Sequence, residues 1–244
     1  MAHHTSLADT RVLLTGGTTG IGRATLKLLS NEGARVVAFG RHREDLDDAI
    51  AAAGSGDVTG LVADVATKES VDRVFAAVDD RLGGLDILIA CAALGAQPLH
   101  EMADEDWRYV IDTNLVGYLA CAREAIKRMD ESVGGHLLFV GSISAEIKAE
   151  GESVYSATKA GVQAFAETLR KEVASRNIRV SVVQPGSVAT DMQECSEEEK
   201  RQAVEREEML HADEVAEAIL FVLTRSAATD IVNLRIEPRL QKTS

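Results

Sequence analysis

At 244 residues the chain suits one α/β domain, and at 45% hydrophobic but only 4% aromatic its core has to be packed mainly by Ala, Val, Leu and Ile. A net charge of −13 argues against nucleic acid or an anionic membrane surface as partner, and no apolar run reaches the ~18 residues that span a bilayer. Cys91, Cys121 and Cys195 are scattered without a CxxC spacing and read as reduced thiols, and Met1-Ala2-His3-His4-Thr5-Ser6 has neither the basic nor the apolar region of a signal peptide, so a cytoplasmic location is expected. Two histidines there are too few for a tag or a metal site, and none of the chain reads as repeat, low-complexity segment or proline-rich linker.

Arg11–Thr15 reads as a short apolar strand, followed by the turn Gly16-Gly17-Thr18-Thr19-Gly20-Ile21-Gly22 and a helical pattern over 23–32. Strand, glycine turn and helix in that order form a cradle for a pyrophosphate, because a helix start offers free N–H groups and the positive end of its dipole. A side chain at Gly16 would crowd the turn, one at Gly20 would block a phosphate, and one at Gly22 would push the helix off the strand. The spacing is GxxxGxG rather than the GxGxxG of many dinucleotide folds, and a glycine turn without ligand is the plainer alternative.

A second strand over 35–39 ends at Gly40-Arg41-His42-Arg43. A carboxylate at that strand end would hydrogen-bond an adenosine ribose and repel a 2′-phosphate. Gly40 and Arg41 stand there instead, and Arg41 with Arg43 makes a basic spot in an acidic chain, which favours NADP over NAD. Read plainly, Arg41 is an exposed arginine where a helix over 44–53 begins. A strand over 58–63 leads to Asp64-Val65, an amphipathic helix follows over Lys68–Leu82 with Val71, Val74, Phe75 and Val78 on one stripe, and 85–90 is an apolar strand suited to burial on both faces. Strands alternating with helices of this length imply right-handed crossovers and a parallel sheet.

A long helical pattern over 104–129 carries Asn114 on an otherwise apolar face, where the amide is either a satisfied core group or a residue that bends the helix and holds a water. A strand over 136–140 ends at Gly141-Ser142. On the next helix, over 152–175, Tyr155 and Lys159 are four apart, hence about 40° apart in azimuth and on one face. At an effective dielectric of about 20, an ammonium about 4 Å from a phenolate is worth about 4 kcal/mol, or roughly three pKa units, enough to bring a phenol towards neutrality. Alone, such a pair is more often a solvated face. Ala157, Gly161 and Ala164 on this helix suit close packing on the sheet or a sister subunit. A strand over 178–183 leads into Gln184-Pro185-Gly186-Ser187-Val188-Ala189-Thr190; the acidic stretch 194–208, within 190–212, reads as a lid or as a solvated surface helix; a helix over 213–223 and a strand over 231–236 complete the chain. Gly16, Arg41, Asp64, Cys91, Ser142 and Pro185 each fall just past a predicted strand, and in an open parallel sheet those ends share one ligand-binding edge.

With these residues together, the chain resembles the short-chain dehydrogenase/reductase family from about residue 11 to 190. The matching motifs are Thr15-Gly16-x-x-x-Gly20-Ile21-Gly22, Asp64-Val65, Asn114-Leu115-Val116-Gly117, Ser142 thirteen residues before Tyr155, Tyr155-x-x-x-Lys159, and Pro185-Gly186-x-Val188-x-Thr190. The resemblance implies a single-domain Rossmann-type doubly wound parallel sheet of about seven strands. It also implies a catalytic set of Asn114, Ser142, Tyr155 and Lys159. Tyr155 would be the general acid or base, Lys159 would lower its pKa and bind the nicotinamide ribose, Ser142 would hydrogen-bond the substrate oxygen, and Asn114 would hold a proton-carrying water. The glycine turn with Thr18 and Thr19, and Arg41, Asp64, Val65, Pro185, Gly186, Val188 and Thr190, would bind the cofactor, NADP or alternatively NAD. The expected activity is hydride transfer between NADP(H) and a small alcohol or carbonyl, by a homotetramer or dimer built partly on the helices carrying Asn114 and Tyr155. An NAD-dependent member and a non-catalytic NADP(H) sensor are the alternatives, the latter disfavoured because a sensor has no use for Tyr155 and Lys159. The family's Asn-Asn-Ala-Gly is replaced by Ala90-Cys91-Ala92-Ala93, which places its local hydrogen bonding in question. The ending 231–238 is similar to that of NADP-dependent members acting on small hydroxy acids and similar alcohols.

Overall fold

The computed structural model describes residues 5–241, so the reading of His3 and His4 lies outside it. Seven strands form one parallel sheet in the order β3-β2-β1-β4-β5-β6-β7. They are β1 (Arg11–Thr15), β2 (Arg35–Gly40), β3 (Val58–Val62), β4 (Ile87–Ala90), β5 (Gly135–Val140), β6 (Ile178–Pro185) and β7 (Asn233–Ile236). The helices are α1 (Gly20–Asn31), α2 (Arg43–Ala53), α3 (Lys68–Leu82), α4 (Asp104–Ile111), α5 (Gly117–Ile126), α6 (Ser153–Val173), α7 (Glu197–Glu205) and α8 (Ala212–Leu223).

The period of two along the strands distributes side chains to two cores. In β1, Leu13 joins a core with α3, α5 and α6, through Val74, Val78, Cys121, Ala122, Val162 and Leu169. Its neighbours Val12 and Leu14 join the other core with α1, α2 and α8, through Leu26, Leu29, Ala49, Val215 and Ile219. Helices therefore cover both faces, which is why β4 is buried at every position, as its unbroken apolar run requires. The stripe predicted on α3 is buried throughout, each large side chain contributing about 1.5–3 kcal/mol. No helix among the described residues is long and apolar enough to cross a membrane.

The long helix expected over 104–129 is not continuous. A π-helical turn, Asp112–Val116, separates α4 from α5, and the helix ends at Ile126. The polar side chain of Asn114 sits in this turn, fully buried, and bonds outside the helix. β4 begins later than expected, with Leu85 buried just before it, and β6 runs on to include Pro185.

Parallel register brings the strand ends into line. Thr15 lies opposite Phe39 on β2 and Ala90 on β4, Ala90 lies opposite Phe139, and Val140 lies opposite Val183. The residues just beyond, from Asp64 through Gly16 to Ser142 and Gly186, thus border one edge of the sheet.

Candidate active site

At the centre of that edge, α1 starts at Gly20 with Thr19 as N-cap, whose side chain makes no capping bond, so the N–H groups of the first turn stay free for a ligand. A Cβ on Gly22 would stand 1.9 Å from the carbonyl oxygen of Gly16, so only glycine allows the turn to fold against the helix. Gly20 has φ +48°, and a Cβ there would meet Thr190 Cγ2 at 2.9 Å. Thr190 thereby carries the segment after β6 onto the glycine turn. Thr18 is buried beneath the turn against Gly40, and Ile21 packs on the core shared by α1 and α8. This cradle of free N–H groups and missing side chains fits a pyrophosphate.

The bonding left open by Ala90-Cys91-Ala92-Ala93 is taken over by Thr15. Its hydroxyl oxygen accepts from the N–H groups of Cys91 and Ala92, both at 3.0 Å, joining the end of β1 to the loop after β4.

On the β2–β3 side, Arg41, His42, Arg43, Glu44, Asp45 and Val62 border a shallow concavity of about 500 Å³ at the start of α2, where His42 as N-cap makes no side-chain bond. Arg41 is exposed and donates from Nη1 to the hydroxyl oxygen of Tyr109 at 3.0 Å. Tyr109 donates in turn to Asp64 Oδ2 at 2.5 Å, while Asp64 Oδ1 accepts from the N–H of Ala66 at 2.9 Å. Val65 is buried against Gly117.

On the other side, Ser142, Tyr155 and Lys159 converge. Ser142 stands two residues past β5; its oxygen accepts from the Ser144 N–H at 3.1 Å, leaving its own hydrogen to be donated. The Ser142 side chain also interacts with the Tyr155 phenol and favours its ionised form. Burial outweighs this and, aided by the charge of Glu152, pushes the phenol up to about 12 although the ring keeps some exposure. Lys159 is 1% exposed. Its Nζ donates to the Val140 carbonyl at 2.9 Å and lies 5.3 Å and 5.7 Å from the ring centroids of Tyr118 and Tyr155. Among the described residues no carboxylate pairs with it, and burial lowers its pKa from the ordinary 10.5 to about 8. Burial thus raises the phenol and lowers the amine, while the Lys159 Nζ stands 5.7 Å from the Tyr155 ring centroid. The ammonium is held on the Val140 carbonyl, and desolvation is the largest influence on both groups.

Asn114 is satisfied as a core amide. Oδ1 accepts from the Leu94 N–H and Nδ2 donates to the Leu94 carbonyl, each at 2.8 Å, with a longer bond to Thr158 Oγ1 at 3.4 Å. It fastens the loop after β4 to the π-helical turn, and its longer bond reaches the helix carrying Tyr155. Pro185 ends β6, the Gly186 N–H donates to the Ile236 carbonyl at 2.8 Å, and Val188 bridges to Leu210. Within 190–212, Gln97 and Glu194 are hydrogen-bonded, and Arg239 pairs with Glu207, so the segment is tied both to the loop after β4 and to the end of the chain.

Sequence reasoning placed Thr15 in the glycine motif without a role, and missed Tyr109, Tyr118 and the Ser144–Glu152 pair, in which Ser144 Oγ donates to Glu152 at 2.9 Å. Thr15 at a strand end beside a chain lacking its usual amides was the one available signal. The others find their partners only through tertiary packing.

The chain matches the short chain dehydrogenase family over residues 10–201. It is 32% identical over 235 residues to an uncharacterized oxidoreductase of Staphylococcus aureus (strain USA300), covering 96% of this chain and 99% of that protein. It is 36% identical over 210 residues to carbonyl reductase family member 4 of Danio rerio, covering 85% of this chain and 88% of that one. Among solved structures it is similar, with a TM-score of 0.85 and 29% identity, to a variant of the actinorhodin polyketide ketoreductase with NADPH, covering 98% of this chain and 99% of that one. Motif, sheet order and sequence likeness over nearly its whole length agree, and the chain belongs to the short-chain dehydrogenase/reductase family of oxidoreductases.

Proposed function

We propose that the protein is an NADP(H)-dependent oxidoreductase that interconverts a small carbonyl compound and its alcohol, with Tyr155 as the proton donor and acceptor. The observation that carries this reading is the buried Lys159 ammonium one helical turn from Tyr155, with the Ser142 side chain on the same phenol. The bound dinucleotide supplies the hydride. The free N–H groups of Thr18, Thr19 and the first turn of α1 hold the pyrophosphate, and Arg41, beside the uncapped start of α2, takes the 2′-phosphate. Asp64 and Val65 border the adenine, and Val188 and Thr190 the nicotinamide. The hydroxyl hydrogen of Ser142, whose oxygen already accepts from Ser144, is donated to the substrate oxygen. A phenol at about 12 stays protonated at neutral pH, so Tyr155 rests ready to donate as the carbonyl oxygen gains charge. Lys159 stabilises the phenolate left behind and holds the nicotinamide ribose. Asn114 supports both by fastening the loop at Leu94 to the π-helical turn. The names of the similar proteins, a carbonyl reductase and a ketoreductase with NADPH, support this class of substrate and cofactor.

Tyr155→Phe should abolish carbonyl-dependent loss of nicotinamide absorbance, screened over small ketones, aldehydes and alcohols, while NADPH binding survives. Retention of most activity would end the role of the phenol, and tighter binding of NAD than of NADP would overturn the assignment of Arg41. The protein acts in the cytoplasm as a dimer or tetramer assembled partly on the helices carrying Asn114 and Tyr155, and a monomeric mass at micromolar concentration by sedimentation would refute the assembly.

A further inference from the structure

A cofactor-selecting arginine is effective only if its guanidinium is directed at the phosphate, and this arginine has a competing anion close by. Asp64, just past β3, is linked to Arg41 through a single intervening group, the Tyr109 hydroxyl. The direction of each bond is settled by chemistry. A guanidinium can only donate, so the Tyr109 oxygen accepts from Arg41 at 3.0 Å; the phenol hydrogen is then spent on Asp64 Oδ2 at 2.5 Å. The Arg41 guanidinium also lies 5.8 Å from the centroid of the Tyr109 ring. Asp64 is anchored independently through the N–H of Ala66, so it cannot follow a mobile arginine.

We propose that Tyr109 is a positioning residue for cofactor selection. Its phenol stands between Arg41 and Asp64, keeps the two from pairing directly, and holds the guanidinium at the rim of the concavity that Arg41, His42 and Arg43 share with Glu44 and Asp45, with one N–H engaged and the rest free for a phosphomonoester. This inference rests on the assignment of Arg41 to the 2′-phosphate. It adds that the selectivity belongs to a three-residue relay across the turns after β2 and β3 and the helix α4. Loss of the hydroxyl leaves Arg41 to collapse onto Asp64 or to wander in solvent, and either outcome weakens capture of a dianion. A ribose bearing a free 2′-hydroxyl is bound as before.

Calorimetric titration of the native protein and of Tyr109→Phe with adenosine 2′,5′-bisphosphate and with 5′-AMP tests this without any turnover. The phenylalanine keeps the ring beneath the guanidinium and deletes only the bridge. The expected result is a loss of about five- to tenfold in affinity for the bisphosphate, with 5′-AMP changed by less than about twofold. Matched far-ultraviolet circular dichroism and an unchanged 5′-AMP constant certify the fold of the variant. Bisphosphate affinity left within about twofold of native, or equal changes for both probes, would overturn the role of Tyr109 while leaving the NADP reading intact. A native protein that binds both probes equally well would overturn the NADP reading itself and this inference with it. Tyr109→Leu, which also removes the ring, should lose at least as much bisphosphate affinity as Tyr109→Phe; a smaller loss would contradict the relay.

Discussion

Burying Lys159 without a carboxylate partner costs the fold stability, and removing its charge should show how much. Its pKa falls from 10.5 to about 8, and about 2.5 pKa units at 1.36 kcal/mol each is about 3 kcal/mol against the charged form. Lys159→Met keeps most of the side-chain volume and discards the ammonium. The Val140 carbonyl then loses the donor at 2.9 Å but keeps the Tyr118 hydroxyl at 3.3 Å, a loss of about 1 kcal/mol. At pH 7 the variant should therefore be more stable than the native protein by about 2 kcal/mol, and turnover should be lost. The folded pKa lies below the unfolded one, so the native penalty is fully present below about 8 and disappears as pH rises towards 10.5. The advantage of the variant should accordingly shrink by about 3 kcal/mol between pH 7 and pH 10.5. Urea denaturation of both proteins at equal protein concentration across that range measures the difference, in which all other titrating groups cancel. A variant less stable than native at pH 7, or a difference that does not vary with pH, would refute the reasoning.

Gly22→Ala drives a Cβ into the Gly16 carbonyl oxygen, and should cost about 1–3 kcal/mol in thermal stability and abolish dinucleotide binding, both read from melting curves with and without NADPH. Asn114→Ala leaves the Leu94 N–H and carbonyl without their partner, and a loss of about 2–4 kcal/mol is expected in denaturant titration; an unchanged midpoint would mean the loop is held by other contacts. Glu152→Gln keeps an acceptor for Ser144 Oγ but removes a charge that raises the Tyr155 pKa, so the limb of the pH–rate profile that reports the phenol should move to lower pH; an unmoved limb removes Glu152 from the electrostatics of the site.

Much of the fold was legible in the chain because it is carried by local interactions. The stripe on α3, the apolar run of β4 and the glycine turn at the start of α1 each depend on neighbours within a few residues, and they lie within two or three residues of where periodicity and turn chemistry placed them. Once strands and helices alternate, parallel order follows, and with it the shared edge that brings Arg41, Gly16 and Ser142 into one row. Asn114 on an apolar face marked where the helix over 104–129 could be disturbed, but the π-helical turn and the bonding to Leu94, 20 residues away, are not reported by helical periodicity. Tyr109 was invisible for the same reason, its partners Arg41 and Asp64 lying 68 and 45 residues distant on other elements. Thr15 acquired its meaning only beside Cys91 and Ala92. Residue identity determined by itself which chemical groups line the edge, a hydroxyl, a phenol and an amine. Only the tertiary structure decided how readily they exchange protons, because packing buries Lys159 and much of Tyr155, and desolvation there raises the phenol and lowers the amine.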